Sequence, residues 1–273
     1  MMKFINEPKS QTYHLNATTM KKCYLLLVLS FLLIGGTNGQ SRSAFRSGYL
    51  RLGLNALGGD LKFDQSPKQN VFNGNYGAAQ GYVLEMGRIF YFQDRGLISP
   101  LNYGIDWTYF SLNYNELDQW DAYGAASATP YFTGGEALAI AASTKIGPVV
   151  SFNLVEKVVV DARIQLAPTF RFFDVSYYET DEEGIETRSF SFTDDLSGEN
   201  DDNYDSESLP NRVGFGVQTN FGLTLRRKAI GIALDVVSGS VKNRYQAYEN
   251  GSYTFGKEKI KVTNFQVKLS LTL

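Results

Sequence analysis

Residues 157–173 read KVVVDARIQLAPTFRFF, and two interleaved sets can be drawn out of them. Val158, Val160, Ala162, Ile164, Leu166, Phe170 and Phe172 share one parity; Asp161, Arg163, Gln165, Thr169 and Arg171 share the other. Side chains of a strand point alternately to its two faces, so this is one strand with an apolar and a polar side. A soluble sandwich turns the apolar side inward, whereas a membrane barrel turns it outward to lipid. Period alone does not choose between them.

The chain ends on the same pattern. Phe265, Val267, Leu269, Leu271 and Leu273 alternate with Asn264, Gln266, Lys268, Ser270 and Thr272 up to the last residue. A barrel closes by pairing its last strand with its first, which removes both sheet edges, so an amphipathic terminal strand is what closure requires. Further strands are predicted near Gly48 to Leu57, Ala79 to Phe92, Leu101 to Asn113, Ala137 to Phe152, Arg212 to Arg226 and Ala229 to Ser240, making about eight. Ten would follow if Ser189 to Phe192 or Tyr245 to Phe255 extended a hairpin.

The connections alternate in length. Gln93 to Ser99, Asn153 to Glu156 and Arg227-Lys228 are short; Gly58 to Ala78, Tyr114 to Glu136, Tyr178 to Asn211 and Val241 to Gly256 are long. Short inner turns facing long outer loops are the plan of an up-and-down membrane barrel, and a sandwich has no cause to sort its loops this way. Tyr82, Phe90, Tyr103, Trp107, Tyr109, Phe170, Phe172, Phe215 and Phe265 fall on the expected lipid face, several near strand ends, where aromatic rings favour the membrane interface. Arg88 shares that face with Tyr82, Leu84 and Met86, so a bulge or a position near the inner rim is expected there.

Upstream, Met20-Lys21-Lys22 and the apolar run Cys23 to Ile34, broken by Gly35-Gly36, have the layout of a secretory signal, too short to span a bilayer. The reading is an upstream extension over 1–19, a signal peptide over 20–39 cleaved after Gly39, and one barrel domain over 40–273. Cleavage removes Lys3, Lys9, Lys21, Lys22 and Glu7, so the formal charge moves from −2 to −5, with 22 basic against 27 acidic side chains. That balance excludes nucleic acid as a partner. The sole His (His14) and the sole Cys (Cys23) leave as well, which takes disulfides, thiol nucleophiles, His-ligated metals and the usual His general base out of consideration.

Gly147-Pro148-Val149-Val150-Ser151-Phe152-Asn153, followed across a tight turn by Lys157-Val158-Val159-Val160-Asp161, resembles the central hairpin of the outer membrane protein beta-barrel domain family. The resemblance covers about Gly48 to Leu273. It implies an all-β, transmembrane, antiparallel barrel of the OmpA or OmpX kind, with no catalytic residues to carry over.

In such a barrel the lumen receives Arg51, Glu85, Asp106, Lys145, Asp161, Arg163, Arg171, Arg212, Gln218, Asn220, Arg226, Asp235 and Lys268. An eight-stranded interior is just wide enough for side chains to fill, and buried charges must pair. A structural plug is therefore expected rather than an open pore. Between Glu179 and Glu207 twelve acidic residues face only Arg188, and Asp194, Asp195, Asp201, Asp202 and Asp205 are the candidates for a divalent cation or a basic extracellular ligand.

The function expected is structural or surface-interacting, in the cell outer membrane, reached by the general secretory route. Membrane lipid and the barrel-assembly machinery are the expected partners. No cofactor and no enzyme activity are expected. The alternatives are a narrow porin-like channel or transport accessory, a soluble periplasmic ligand-binding barrel, and a barrel hydrolase working without His.

Overall fold

The computed structural model describes residues 44–92, 100–126, 131–134, 137–192 and 212–273, all within the compact unit Ser43–Leu273. The signal and upstream segments expected over 1–39 lie outside the described residues.

Eight long strands close into a ring: β1 (Gly48–Leu57), β2 (Gly81–Tyr91), β3 (Leu101–Glu116), β5 (Leu138–Val155), β6 (Val158–Asp174), β9 (Val213–Arg227), β10 (Ile230–Glu249) and β11 (Ser252–Thr272). Each is antiparallel to its neighbours in the order β1-β2-β3-β5-β6-β9-β10-β11, and β11 returns to β1 from Tyr49↔Thr272 to Leu57↔Asn264. Closure leaves the barrel wall without an edge. Three short strands, β4 (Tyr131–Gly134), β7 (Ser176–Thr180) and β8 (Glu186–Ser191), continue the wall on one side, where β8 pairs with the far end of β10 through Gln246↔Ser191 to Tyr248↔Ser189.

Polarity settles what the barrel lives in. Ile164 is 52% exposed on the outer surface, while Arg163 and Lys268 are 3% and 1% exposed inside. Leu50, Leu52, Leu54, Leu223, Leu225 and Phe265 join Ile164 outside. This is a transmembrane barrel of the outer-membrane type, and the soluble alternative, which needs charge outside and an apolar interior, does not fit it. Arg88 stays on the outer face near the start of β1, its guanidinium 5.5 Å from the Phe90 ring centroid. The bulge expected near it belongs to β3, where Tyr109 and Phe110 both face outward.

Two connections at the end carrying the termini are tight, turning through Lys157 (φ 63°) and Lys228 (φ 57°). The opposite end holds the long connections, with two corrections to the sequence reading. Val241 to Gly256 is strand rather than loop, interrupted only by Asn250 (φ 54°) and Gly251 (φ 76°). Two successive left-handed residues make the mirror-image turn that matches strand twist, and Asn-Gly is the pair that adopts it most readily. Tyr178 to Asn211, also expected as loop, contains most of β7 and all of β8. The ring keeps eight strands: the extra pairing lengthens a hairpin and adds the side extension.

Candidate functional site

The interior has two storeys. The lower one is the polar lumen at the level of the lipid-facing band. Lys268 sits between two carboxylates, its Nζ 2.6 Å from Glu85 Oε2 and bonded to Asp235. Lys145 Nζ lies 2.5 Å from the other oxygen of Glu85, and Arg163 Nη2 lies 2.5 Å from Asp235 Oδ1. Asp106 lies 3.8 Å from both Arg51 and Arg163 and accepts a 2.6 Å hydrogen bond from the Tyr49 hydroxyl. Nearer the terminal end Arg226 Nε bonds Asp161 at 2.9 Å, and Ser151 donates to the same carboxylate at 2.5 Å.

Nine of the residues expected in the lumen, Arg51, Glu85, Asp106, Lys145, Asp161, Arg163, Arg226, Asp235 and Lys268, are thus buried and ion-paired. Asn220 bonds Gln165 at 2.8 Å, and Gln218 accepts from Thr169 at 3.3 Å. Arg171 is buried too, but its neighbour is the Phe173 ring, 5.5 Å from its guanidinium, rather than a carboxylate. Arg212 is a correction: it precedes β9, and its side chain, 30% exposed, pairs with Asp174 at 2.7 Å at the mouth. Tyr49, Tyr91 and Gln266 join the network without having been singled out in the sequence; Tyr91 accepts from Arg226 at 3.1 Å and Gln266 donates to Asn113 at 2.6 Å.

Space for the ion pairs is made by glycine. A Cβ on Gly222 would stand 2.0 Å from Asp235 Oδ1 and 2.5 Å from Arg163 Nε, and one on Gly87 would meet the Tyr49 hydroxyl at 2.4 Å.

The upper storey is apolar. Inward positions at the loop ends of the strands, Leu57, Phe173, Val241, Ile260 and Val262, meet side chains from the long connections: Leu61, Val71 and Tyr76 from the first, Leu117, Trp120 and Tyr123 from the second, Tyr177, Phe190 and Phe192 from the third. The first connection is fixed by α1 (Pro67–Asn73), which has a Ser66/Gln69 capping box, Pro in its first turn and Gly74 left-handed at its end. The second carries α2 (Trp120–Ala125). Phe173 stacks between Tyr76 (5.1 Å) and Phe192 (5.2 Å). Polar ends of the large rings find backbone partners: Trp120 Nε1 donates to the Tyr76 carbonyl at 3.2 Å, and the Tyr76 hydroxyl to that of Lys261 at 2.7 Å.

A buried carboxylate lies in this cap. Glu179 pairs with Arg188 at 2.6 Å and accepts the Tyr177 hydroxyl. Burial, reinforced by the bonded Glu179, pushes the Tyr177 phenol well above the usual tyrosine range; burial does the same for Tyr76.

Asp194, Asp195, Asp201, Asp202 and Asp205, the expected cation ligands, lie outside the described residues. Among the described residues no group of three or more metal-binding side chains converges.

No protein-family model and no curated protein matches the sequence. Among solved structures the chain is similar to Ail, the attachment invasion locus protein of Yersinia pestis, at 10% identity over 84% of this chain and 99% of that one, with a TM-score of 0.39. It is also similar to the outer membrane protease OmpT of Escherichia coli, at 7% identity and a TM-score of 0.34, over 72% of this chain and 65% of the protease. The assignment of this chain rests on its own strand pairing and on the polarity of its two faces.

Proposed function

We propose that this protein is a closed outer-membrane barrel that anchors an outward-facing platform, with a structural or surface-interaction role rather than a transport or catalytic one. The observation that carries the reading is the double closure of the interior. Across the lipid-facing level, lumen positions are filled by ion-paired side chains, and an apolar cluster spans the mouth above them. A conducting lumen would need a continuous hydrated path, and a network centred on Lys268, Glu85 and Asp235 occupies the axis instead. The buried carboxylates described here are each held by a cation or a hydroxyl, which leaves them poorly suited to act as general bases.

In this reading the long connections face the outside, the tight turns face the periplasm, and the terminal strand from Asn264 to Leu273 serves the assembly machinery during insertion. Planar-bilayer recording of the purified protein is the test. Absence of stable openings is expected, while a large steady conductance would sink the plug and restore the narrow-channel alternative.

A further inference from the structure

Arg171 faces inward from β6, one inward position below Phe173, where the lumen meets the cap, and it is 2% exposed. Among the described residues it has no ion pair and no hydrogen bond, and its Nε finds no acceptor in the protein. The guanidinium leans only on the Phe173 ring, 5.5 Å from the centroid. An aromatic face attracts a cation but carries no net charge to cancel it. The balance of the lumen points the same way. The nine ion-paired residues named above contribute five cations and four carboxylates, and Arg171 is a sixth buried cation. Excess charge of one sign is costly to bury, and a guanidinium keeps its proton where a buried lysine can give it up. The lumen is therefore short of anions, and Arg171 is the cation that stands apart.

Its surroundings are small side chains and a second free donor. The register sets Ala141 of β5 and Gly214 of β9 on either side of Arg171. One inward position further down β6, the Thr169 hydroxyl bonds Gln218 Oε1 at 3.3 Å, which fixes the amide so that its Nε2, buried like the guanidinium, is left without a partner. We propose that Arg171 and Gln218 hold a single small inorganic anion, of the charge and size of chloride, between the ion-paired lumen and the apolar cap. One negative charge matches one unpaired guanidinium, whereas a divalent oxyanion would overshoot it and ask for more donors than these two side chains supply. Phe173, Tyr76 and Phe192, stacked overhead, keep larger organic anions out.

The rival occupant is a bridging water. Asn243 lies over Gly214, where a Cβ would stand 1.8 Å from its Oδ1, and it turns its amide nitrogen to the Arg212 carbonyl at 3.2 Å, so Oδ1 is a buried acceptor without a partner beside the same space. Water would satisfy these hydrogen bonds and leave the charge uncancelled. The two occupants differ in consequence: an anion makes folding depend on which salt is present, and a water does not.

The experiment heats the purified protein in sodium chloride or in sodium gluconate at equal ionic strength and then follows loss of the compact, heat-modifiable band on a cold gel. At chloride about a hundredfold above its Kd, the transition should lie about 5–10 °C higher than in gluconate. Arg171→Met should remove that difference and melt no lower than the unmodified protein does in gluconate, because it takes away the charge that needed cancelling. Gln218→Glu builds the counter-charge into the wall, so it should melt high in both salts and ignore chloride. Crystals grown in bromide should show an anomalous peak between Arg171 and Gln218, which decides the matter even where Arg171→Met fails to fold. The proposal falls if the unmodified protein and Arg171→Met respond to chloride alike, or if Gln218→Glu keeps the full response. It falls also if bromide appears only on the surface and melting is the same in both salts, which would give the space to water.

Discussion

The lumen and the cap are two interiors enclosed by one wall, and they are built on opposite rules. Below, the inward residues of β11 are Ser270, Lys268, Gln266 and Asn264, and the outward ones are Leu271, Val267 and Phe265. Above, the inward ones are Val262 and Ile260 and the outward ones Lys261, Lys259 and Lys257. β10 inverts in the same way, from Asp235 inside and Leu234 outside to Val241 inside and Lys242 outside. Apolar side chains leave water on whichever side is dry. In the membrane that side is the lipid, and past the membrane it is the barrel axis. The inversion point, at Thr263 on β11 and near Ser238 to Ser240 on β10, therefore marks where the surrounding medium changes from lipid to water.

The two interiors should fail differently. Lys268→Met is the largest expected effect, because it strands Glu85 and Asp235 as buried carboxylates facing fewer cations. Breaking a buried ion pair from one side costs about 3–5 kcal/mol. The temperature at which the compact gel band disappears should drop sharply. If Lys268→Met alone left the band unchanged, the network would not be holding the lumen together.

Phe173→Ala attacks the other interior. It removes a ring packed between Tyr76 and Phe192, at an expected cost of about 3 kcal/mol, borne by the cap. Limited proteolysis should then cut within residues 58–80 or 117–126 while the heat-modifiable band persists. Loss of both together would show that cap and lumen form one cooperative unit. Gly222→Ala tests the lumen by crowding instead of deletion. Its new Cβ would fall against Asp235 and Arg163, and overpacking of this kind costs about 1–3 kcal/mol. Far-UV circular dichroism melting measures it, and a melt identical to that of the unmodified protein would mean the ion pair can shift aside.

The lower interior was legible in the sequence because lipid outside and charge inside give an unbroken period of two, as in Asp161-Ala162-Arg163-Ile164-Gln165-Leu166. The upper interior was not, for a physical reason visible in 257–267, KEKIKVTNFQV. Ile260 and Val262 sit on even positions and Phe265 and Val267 on odd ones, so the apolar phase slips where the solvent changes. A strand read by constant phase ends there, which is why Val241 to Gly256 looked like loop and its basic face went unseen. Arg212 was placed in the lumen by parity alone, although the strand begins one residue after it. Tyr49 and Tyr91 were passed over because a tyrosine on a strand is as readily explained by β-propensity as by a buried hydroxyl.

The smallest expected effect concerns the turn that lets the wall continue past the membrane. Asn250 and Gly251 both hold left-handed backbone, and asparagine tolerates that conformation better than alanine does. Asn250→Ala should cost about 1 kcal/mol, concentrated in the outer part of the hairpin. That part carries Tyr245 and Ala247 into the cap, while the lumen residues of the same strands, Asp235 and Lys268, lie well below the turn. Hydrogen exchange should therefore quicken from Gln246 to Phe255 and stay unchanged around Asp235 and Lys268. Equal acceleration at both levels would mean that the hairpin frays as one piece, and the division of the wall into a lipid-facing and a water-facing tier would lose its dynamic meaning.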